Sequence, residues 1–195
     1  MRSAVLERKT FETQIELSLN MDGSGNSQIS SGIGFLDHML TLFAKHSGFD
    51  LEVSCAGDTY VDDHHSCEDI GIVLGSALKK ALGDKRGISR YGDIILPMDE
   101  ALILCACDIS GRSCLVFDAG FPAEKIGSFD TELVQEFFEA FTRSSGITLH
   151  IRKLSGLNSH HIAEGIFKAF AVCLAKACDT DEKRKGKIPS TKGVI

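Results

Sequence analysis

Residues 61–75, VDDHHSCEDIGIVLG, contain two adjacent histidines shortly before a glutamate, in a segment that then becomes apolar. On a helix, residues four positions apart lie on one face, with about 5 to 6 Å between their Cβ atoms. His64 and Glu68 can therefore bind one divalent cation together. The alternative is the polar first turn of an ordinary helix, and a single motif leaves both interpretations open.

A second copy of this motif favours metal ligation. Residues 159–177, SHHIAEGIFKAFAVCLAKA, align without a gap with residues 63–81, DHHSCEDIGIVLGSALKKA, at an offset of 96. The alignment pairs His160 with His64, His161 with His65 and Glu164 with Glu68. Residues 135–151 also align with residues 37–53, at an offset of 98, so the chain is an internal duplication.

The two histidines of each pair are expected to serve different ions. Neighbouring residues on a helix point about 100° apart, so they do not easily bind the same cation. If the two helix N-termini face each other, the second histidine of each pair can reach the ion of the other motif. This predicts two pseudo-equivalent sites, one formed by His64, Glu68 and His161 and the other by His160, Glu164 and His65.

The duplication also predicts a further metal ligand on the helix that precedes each motif. His38 in the first half corresponds to Glu136 in the second, and both are metal-binding residue types. Imidazole and carboxylate ligands with open positions suit octahedral Mn²⁺, Fe²⁺ or Co²⁺ better than a closed tetrahedral zinc site, where thiolates are expected.

The elements that position these residues follow from the apolar pattern. Each half is predicted as strand, strand, helix, strand, helix, with TQIELSLN alternating as a half-buried strand and Asp62, Asp63, Asn158 or Ser159 capping the motif helices. The predicted fold class is α+β, an internal duplication of two similar halves, each a small β-sheet covered on one face by two helices. The predicted boundaries are 1–93, 94–182 and a C-terminal tail at 183–195.

Composition places the chain among soluble globular proteins. It has 195 residues, 43% of them hydrophobic, and a net charge of −6, which argues against nucleic acid as a general partner. No secretory signal or apolar stretch of about 20 residues is present, and the seven cysteines lie mostly in apolar runs. We therefore expect reduced thiols, no membrane contact and a cytoplasmic location.

The C-terminal tail differs in charge from the rest of the chain. Residues 183–195, KRKGKIPSTKGVI, hold five of the 21 basic residues and no acidic one. Such a tail is commonly a solvated end. Alternatively, the Ser-Thr-Lys-Gly turn at 190–193 supplies amides, hydroxyls and an ammonium group to a phosphate.

Several motifs together identify the chain as similar to a known family. In chain order they are GIGFLDHML, DDHHSCEDIGIVLG, ISRYG, PMDEAL, DISGRSCLVFDA, ITLHIRKLSGLNSHHIAEGIFKAFA and STKGVI. They resemble the imidazoleglycerol-phosphate dehydratases of histidine biosynthesis over nearly the whole chain. The resemblance implies a lyase that converts imidazole glycerol phosphate to imidazole acetol phosphate and water. It also implies two Mn²⁺ ions per active site and a homo-oligomer of 24 subunits that share their sites.

The resemblance also assigns roles to individual residues. The metal ligands it implies are His38, His64, His65, Glu68, His160, His161 and Glu164, while Glu136 stands where some members have a histidine. The implied substrate and phosphate contacts are Glu12, His38, Arg90, Arg112, Lys168, Ser190, Thr191 and Lys192. Glu12 is the candidate for acid–base work, with Glu164 and His65 as further catalytic candidates.

The implied chemistry requires activation of the imidazole ring of the substrate. The proton to be removed lies on a carbon without an adjacent carbonyl, so the ring itself must act as the electron sink, which cations at its two nitrogens promote. Two other functions fit part of the pattern. A di-metal phosphate-ester hydrolase would use the same paired cations, and a metal-storing oligomer would not need the basic cluster.

Overall fold

A computed structural model describes residues 1–180 and 182–195 and shows an α+β chain. The first half contains β1 (Ser3–Lys9), β2 (Thr13–Asn20), β3 (Ser27–Ser30), α1 (Gly34–Ser47), β4 (Asp50–Gly57) and α2 (His64–Leu82). The second half contains β5 (Tyr91–Met98), β6 (Ala101–Asp108), β7 (Cys114–Asp118), β8 (Lys125–Ile126), β9 (Phe129–Asp130), α3 (Glu132–Ser145), β10 (Thr148–Ser155) and α4 (Ser159–Cys178).

The two halves share one sheet topology. The strand order is β1-β2-β4-β3 in the first sheet and β5-β6-β10-β7 in the second. In each sheet the last strand pairs in parallel, β3 with β4 and β7 with β10, and the other pairs are antiparallel. The predicted internal duplication is confirmed at the level of strand order.

The four helices lie between the two sheets. Helix α2 packs on β1 and β2, and α4 packs on β5 and β6, while α1 and α3 cover the β3 and β7 sides. Each helix also packs on a helix of the other half, α1 on α4 and α2 on α3. Alternate strand residues such as Ile15, Leu17 and Ile103 are buried beneath the helices, so one core runs through both halves. The predicted two helices on one face of each sheet are confirmed.

Capping interactions mark several helix ends at positions that the sequence predicted. The side chain of Asn158 accepts hydrogen bonds from the backbone N–H groups of His160 and His161 and so caps α4. At α2 the N-cap residue is Asp63, but its side chain makes no capping bond, and Asp62 accepts from the His64 N–H instead. Gly48 ends α1 with a positive φ of 75°, a conformation that favours glycine.

The predicted element order is wrong in its number of strands: two were predicted before the first helix of each half, but three (β1 to β3) precede α1 and five (β5 to β9) precede α3. The missed strands are hard to recognise: β1 and β5 are sheet edges, β3 is four residues long, and β5 contains Pro97. The second sheet begins at Tyr91, ahead of the predicted boundary at 93/94. The predicted 182/183 boundary falls within a short 3-10 helix, Glu182–Arg184, and residue 181 just before it lies outside the described residues.

The surroundings of the cysteines fit the predicted reduced state. All seven are free, and only Cys114 is exposed. Cys67, which lies inside the first histidine motif, is buried and directs its thiol to the Leu133 carbonyl of α3, away from the histidines. Over the described residues, no helix has the length and apolarity that a bilayer span requires.

Candidate metal centre

Three predicted ligands come together where α1 packs on α4. One ligand atom each from His38, His160 and Glu164 lies within 4.8 Å of the other two. Glu164 Oε2 is 3.2 Å from His160 Nε2 and 3.7 Å from His38 Nε2. His160 and Glu164 are one helical turn apart on α4, and α1 supplies His38 from the other half of the chain.

This group of atoms is chemically suited to a divalent metal ion. Glu164 is 8% exposed, whereas the His38 and His160 side chains are accessible from outside. Buried carboxylates are rare unless they pair with cations or bind a metal. Two imidazoles and one carboxylate, open on one side, leave coordination positions for other ligands. The residues present therefore fit a metal ion, and His38, His160 and Glu164 would hold it.

A lysine completes the polar group around Glu164. Lys168 Nζ lies 2.5 Å from Glu164 Oε1, one turn further along α4, and 3.5 Å from the Met98 sulfur. Burial raises the pKa of Glu164, but the hydrogen bond and charge of Lys168 outweigh burial and leave this pKa below its usual value. Glu164 is therefore anionic at neutral pH, as a metal ligand must be.

The equivalent group of the first half is arranged differently. His64 and Glu68 lie at the start of α2, and Glu136 lies on α3, which packs against α2. Glu68 Oε1 accepts a hydrogen bond of 2.8 Å from Arg143 of α3. In the described part of the chain, the His38 group is the only one with three ligand atoms so close together, and His161 does not join His64 and Glu68. Ligation by Glu136 stays a prediction.

The second histidine of each pair faces carboxylates from neighbouring turns. His65 Nδ1 lies 3.1 Å from Asp58 Oδ2, and its Nε2 lies 3.7 Å from Glu12 Oε1. The bond to Asp58 raises the pKa of His65 above its usual value. The structure thus brings the predicted acid–base residue Glu12 next to a predicted metal ligand.

His161 has the matching arrangement in the second half. Its Nδ1 lies 2.7 Å from Glu100 Oε2, and its Nε2 lies 3.6 Å from Asp99 Oδ2. The bond to Glu100 raises the pKa of His161, and the same bond lowers the pKa of Glu100 to about 2. His160 contacts Glu164 whereas His161 contacts Glu100, so these adjacent histidines point to different surroundings.

The C-terminal tail packs beside Arg90. The Arg90 guanidinium donates to both carboxylate oxygens of Asp108, at 2.7 and 3.2 Å, and to the Pro189 carbonyl at 2.8 Å. Arg90 also has a positive φ of 75°, which a residue other than glycine rarely adopts. Arg90 therefore holds the residue that directly precedes the Ser-Thr-Lys-Gly turn.

The other predicted phosphate residues lie around the same tail. The Ser190 hydroxyl accepts from the Lys192 N–H, and the Thr191 and Lys192 side chains are exposed. Arg112 is exposed in the β6–β7 turn, next to Gly111, where an added Cβ would lie 3.1 Å from the Ile195 carbonyl carbon. The structure thus gathers basic and hydroxyl groups at this end of the molecule.

This basic group and the metal centre are far apart within one chain. The Arg90 N–H donates to the Ala177 carbonyl, near the end of α4, whereas Glu164 lies near its start. Ala177 lies thirteen positions after Glu164 along the helix, roughly 20 Å at 1.5 Å per residue. The two groups therefore lie toward opposite ends of α4, further apart than a small phosphorylated molecule is long.

Sequence reasoning did not find the carboxylates that contact His65 and His161. Asp58 follows β4 in a turn without a recognisable pattern, so only its position in space reveals it. Glu100 falls inside the motif PMDEAL, which carries the family resemblance but gives no reason by spacing to connect it with His161, 61 residues later. Arg143 and Asp108 were also missed, because their partners come from other elements.

The fold and the site define a class of protein: a duplicated α+β chain whose paired helices carry histidine and glutamate side chains suited to binding a metal ion. Residues 31–174 match the family described as imidazoleglycerol-phosphate dehydratase. This chain belongs to the imidazoleglycerol-phosphate dehydratase family.

Relatives and solved structures agree with this assignment. Imidazoleglycerol-phosphate dehydratases from Xanthobacter autotrophicus and Oceanobacillus iheyensis are each 58% identical over all 195 residues, covering 99% and 100% of those proteins. The crystal structure of the Staphylococcus aureus enzyme has a TM-score of 0.84 at 44% identity, covering 92% of this chain and 99% of the other. The Pyrococcus furiosus structure gives 0.84 at 36% identity, with coverages of 97% and 100%.

Proposed function

We propose that this chain removes water from imidazole glycerol phosphate to give imidazole acetol phosphate in histidine biosynthesis. It is a hydro-lyase, and its dependence on metal follows from its ligands. The observation that carries the proposal is the convergence of His38, His160 and Glu164, three predicted ligands from both halves, in a chain of this family. Free thiols at all seven cysteines are consistent with a cytoplasmic location, which we include in the proposal.

The proposed cofactor is Mn²⁺, with two ions per active site. The nitrogen and oxygen donors and the absence of thiolates from the His38 group support a harder divalent ion than structural zinc. Bound metal supplies Lewis-acid activation of the imidazole ring. The proposed ligands of the pair are His38, His64, His65, Glu68, Glu136, His160, His161 and Glu164.

The chain's own residues would position the substrate and move its protons. Glu12 lies in the β1–β2 turn with its carboxylate half-exposed, so a small molecule can reach it, and we assign it the general acid–base step. Lys168 beside Glu164, and Arg112, Ser190, Thr191 and Lys192 near the tail, offer donors that suit a dianionic phosphate. Phosphate binding would orient the carbon chain toward Glu12.

The spacing of these groups supports an active site that is shared between subunits. If the basic tail and the metal centre act on one substrate, they must come from different chains, because roughly 20 Å of α4 separates them within a chain. We propose a homo-oligomer in which neighbours complete each site, with 24 subunits as the size that the family resemblance implies.

An elimination assay tests the proposed activity. Purified protein is stripped of metal and incubated with imidazole glycerol phosphate, with and without added Mn²⁺. Formation of imidazole acetol phosphate only with Mn²⁺ is the expected result. Release of inorganic phosphate would indicate an ester hydrolase instead, and metal uptake without any product would indicate a storage protein.

Subunit mixing tests the shared site. Lys192→Ala alters the tail and Glu164→Gln alters the metal centre, and we expect each variant alone to be severely impaired. Co-expression of the two should restore activity to sites that take the intact residue from each chain, measured as turnover per purified oligomer. Turnover no higher than that of the separate variants would contradict sharing between chains.

A further inference from the structure

Two carboxylates outside the proposed ligand set contact equivalent atoms in the two halves. Glu100 Oε2 lies 2.7 Å from Nδ1 of His161, and Asp58 has both oxygens 3.1 and 3.2 Å from Nδ1 of His65. In both cases the contacted residue is the second histidine of its pair, and the contacted nitrogen is Nδ1.

These carboxylates come from positions that the duplication does not relate. Asp58 directly follows β4, whereas Glu100 lies in the turn between β5 and β6. The repeat offsets of 96 and 98 place Leu154 and Gly156 opposite Asp58, so an inherited copy of one residue does not explain the pair. The same contact, built twice from different elements, points to a requirement of the histidine rather than of the local fold.

Backbone hydrogen bonds hold the carboxylate of Glu100 and the main chain of Asp58 in place. Glu100 Oε1 accepts from the N–H of Asn158 at 2.8 Å and of Leu157 at 3.3 Å, just before the helix that carries His161. The Asp58 backbone donates to the Glu12 carbonyl at 3.1 Å and accepts from the Val61 N–H at 2.8 Å. Each carboxylate can therefore hold its histidine ring in one orientation.

We propose that Asp58 and Glu100 are positioning residues that accept the Nδ1–H of His65 and His161 and so present each Nε2 lone pair to a metal ion. In a neutral imidazole only one nitrogen carries the proton, so an acceptor at Nδ1 selects the tautomer with a free Nε2. Carboxylates that orient metal-bound histidines in this way also raise their basicity as ligands.

The contacts of Nε2, on the other side of each imidazole ring, support this orientation of the histidines. Nε2 of His65 faces Glu12 at 3.7 Å, and Nε2 of His161 faces Asp99 at 3.6 Å. Each Nε2 thus points toward another anionic oxygen. A cation placed between the two atoms would contact the nitrogen on one side and the carboxylate oxygen on the other. The proposal rests on the metal-dependent function proposed above, and its test must separate the two.

Metal titration of five proteins, one of them a control, provides the first part of the test. Metal-free wild type, Asp58→Ala, Asp58→Asn and Glu100→Gln are titrated with Mn²⁺, and free Mn²⁺ is followed by its paramagnetic resonance signal. Glutamine is chosen at position 100 because its carbonyl still accepts from the Leu157 and Asn158 N–H groups. Asp22→Asn is the control, since Asp22 pairs with Arg2 beyond the opposite end of β2.

We expect the three variants at positions 58 and 100 to bind Mn²⁺ about 10- to 100-fold more weakly, the range for loss of such a partner. Asp58→Ala should lose more affinity than Asp58→Asn, which keeps an acceptor without its charge. High Mn²⁺ should restore turnover in the variants, and Asp22→Asn should match wild type. Wild-type affinity in all three variants would overturn the proposal.

Ring tautomers of the metal-free protein provide the second part. With ¹⁵N-labelled histidine, His65 and His161 should show the form with a proton on Nδ1, and the variants should lose this preference. If wild type bound no Mn²⁺, the proposed function would fail, yet this measurement would still show whether the carboxylates set the tautomer. Mixed tautomers in wild type at both histidines would overturn the proposal independently of metal.

Discussion

At the scale of single residues, the two adjacent histidines of α4 contact different partners. His160 shares one helix face with Glu164 and meets His38, whereas His161 turns to Glu100. The i, i+4 spacing predicted the first arrangement because it depends only on helix geometry. It did not predict the second, because the partner of His161 arrives from a turn whose place is set by the packing of β5 and β6 against α4.

Replacement of Glu12 by glutamine tests the assigned acid–base residue. Glu12→Gln keeps the shape of the side chain but cannot exchange a proton, so turnover should fall by about 10²- to 10⁴-fold. The bound Mn²⁺ should remain at the wild-type amount, measured by elemental analysis of the purified protein. Near-normal turnover with normal metal content would show that another group moves the proton.

Acidification should release the metal at a higher pH than ordinary histidines would require. Asp58 and Glu100 raise the pKa values of His65 and His161 above 6.5, so their protonated forms persist to higher pH. Since ligand histidines must be neutral, protons compete with the metal as pH falls through these raised values. Equilibrium dialysis against Mn²⁺ from pH 8 to 5 should show loss of binding that begins above pH 6.5. Binding that stays unchanged down to pH 5.5, at a Mn²⁺ concentration close to the dissociation constant, would contradict ligation by these two histidines.

At the scale of elements, the sequence predicted helices better than strands. Asn158 and Gly48 gave local signals for helix ends, and the apolar stripes of α1 to α4 are long enough to recognise. Strands β1, β3 and β5 were missed because a sheet edge need not bury alternate residues strongly: β1 buries only Ala4 fully. Pairing with neighbours distant in sequence defines these strands.

The close packing of α2 on α3 depends on a glycine. A Cβ added at Gly75 would lie 2.5 Å from the Phe141 carbonyl oxygen and 3.1 Å from the Ser144 Cβ, so α2 and α3 would have to separate. Gly75→Ala should therefore cost about 1 to 3 kcal/mol of stability, as overpacking does. Thermal unfolding at fixed protein concentration measures the loss.

Gly34 is the matched control for this substitution. It lies at the exposed start of α1, with nothing within 4 Å of an added Cβ. Gly34→Ala should be neutral or gain up to about 1 kcal/mol from helix propensity. An equal loss of stability in both variants would mean that glycine flexibility, rather than helix contact, governs position 75.

At the scale of the whole molecule, metal binding and assembly are expected to be linked. If neighbouring chains supply ligands to one ion, removal of the metal leaves histidines and carboxylates facing each other without a bridging cation. Treatment with a chelator should shrink the particle in gel filtration, and addition of Mn²⁺ should restore its size. An elution volume that does not change after complete metal removal would show that other contacts hold the subunits together.

The packing of each helix on a helix from the other half bears on how the chain arose. Because α1 lies on α4 and α2 on α3, a half on its own would expose one apolar face of both of its helices. A single half would therefore need a second copy of itself to cover these faces. The present chain has the packing of a homodimer whose two copies are joined by residues 83–90, and only within one chain can equivalent positions carry different residues, as His38 and Glu136 do.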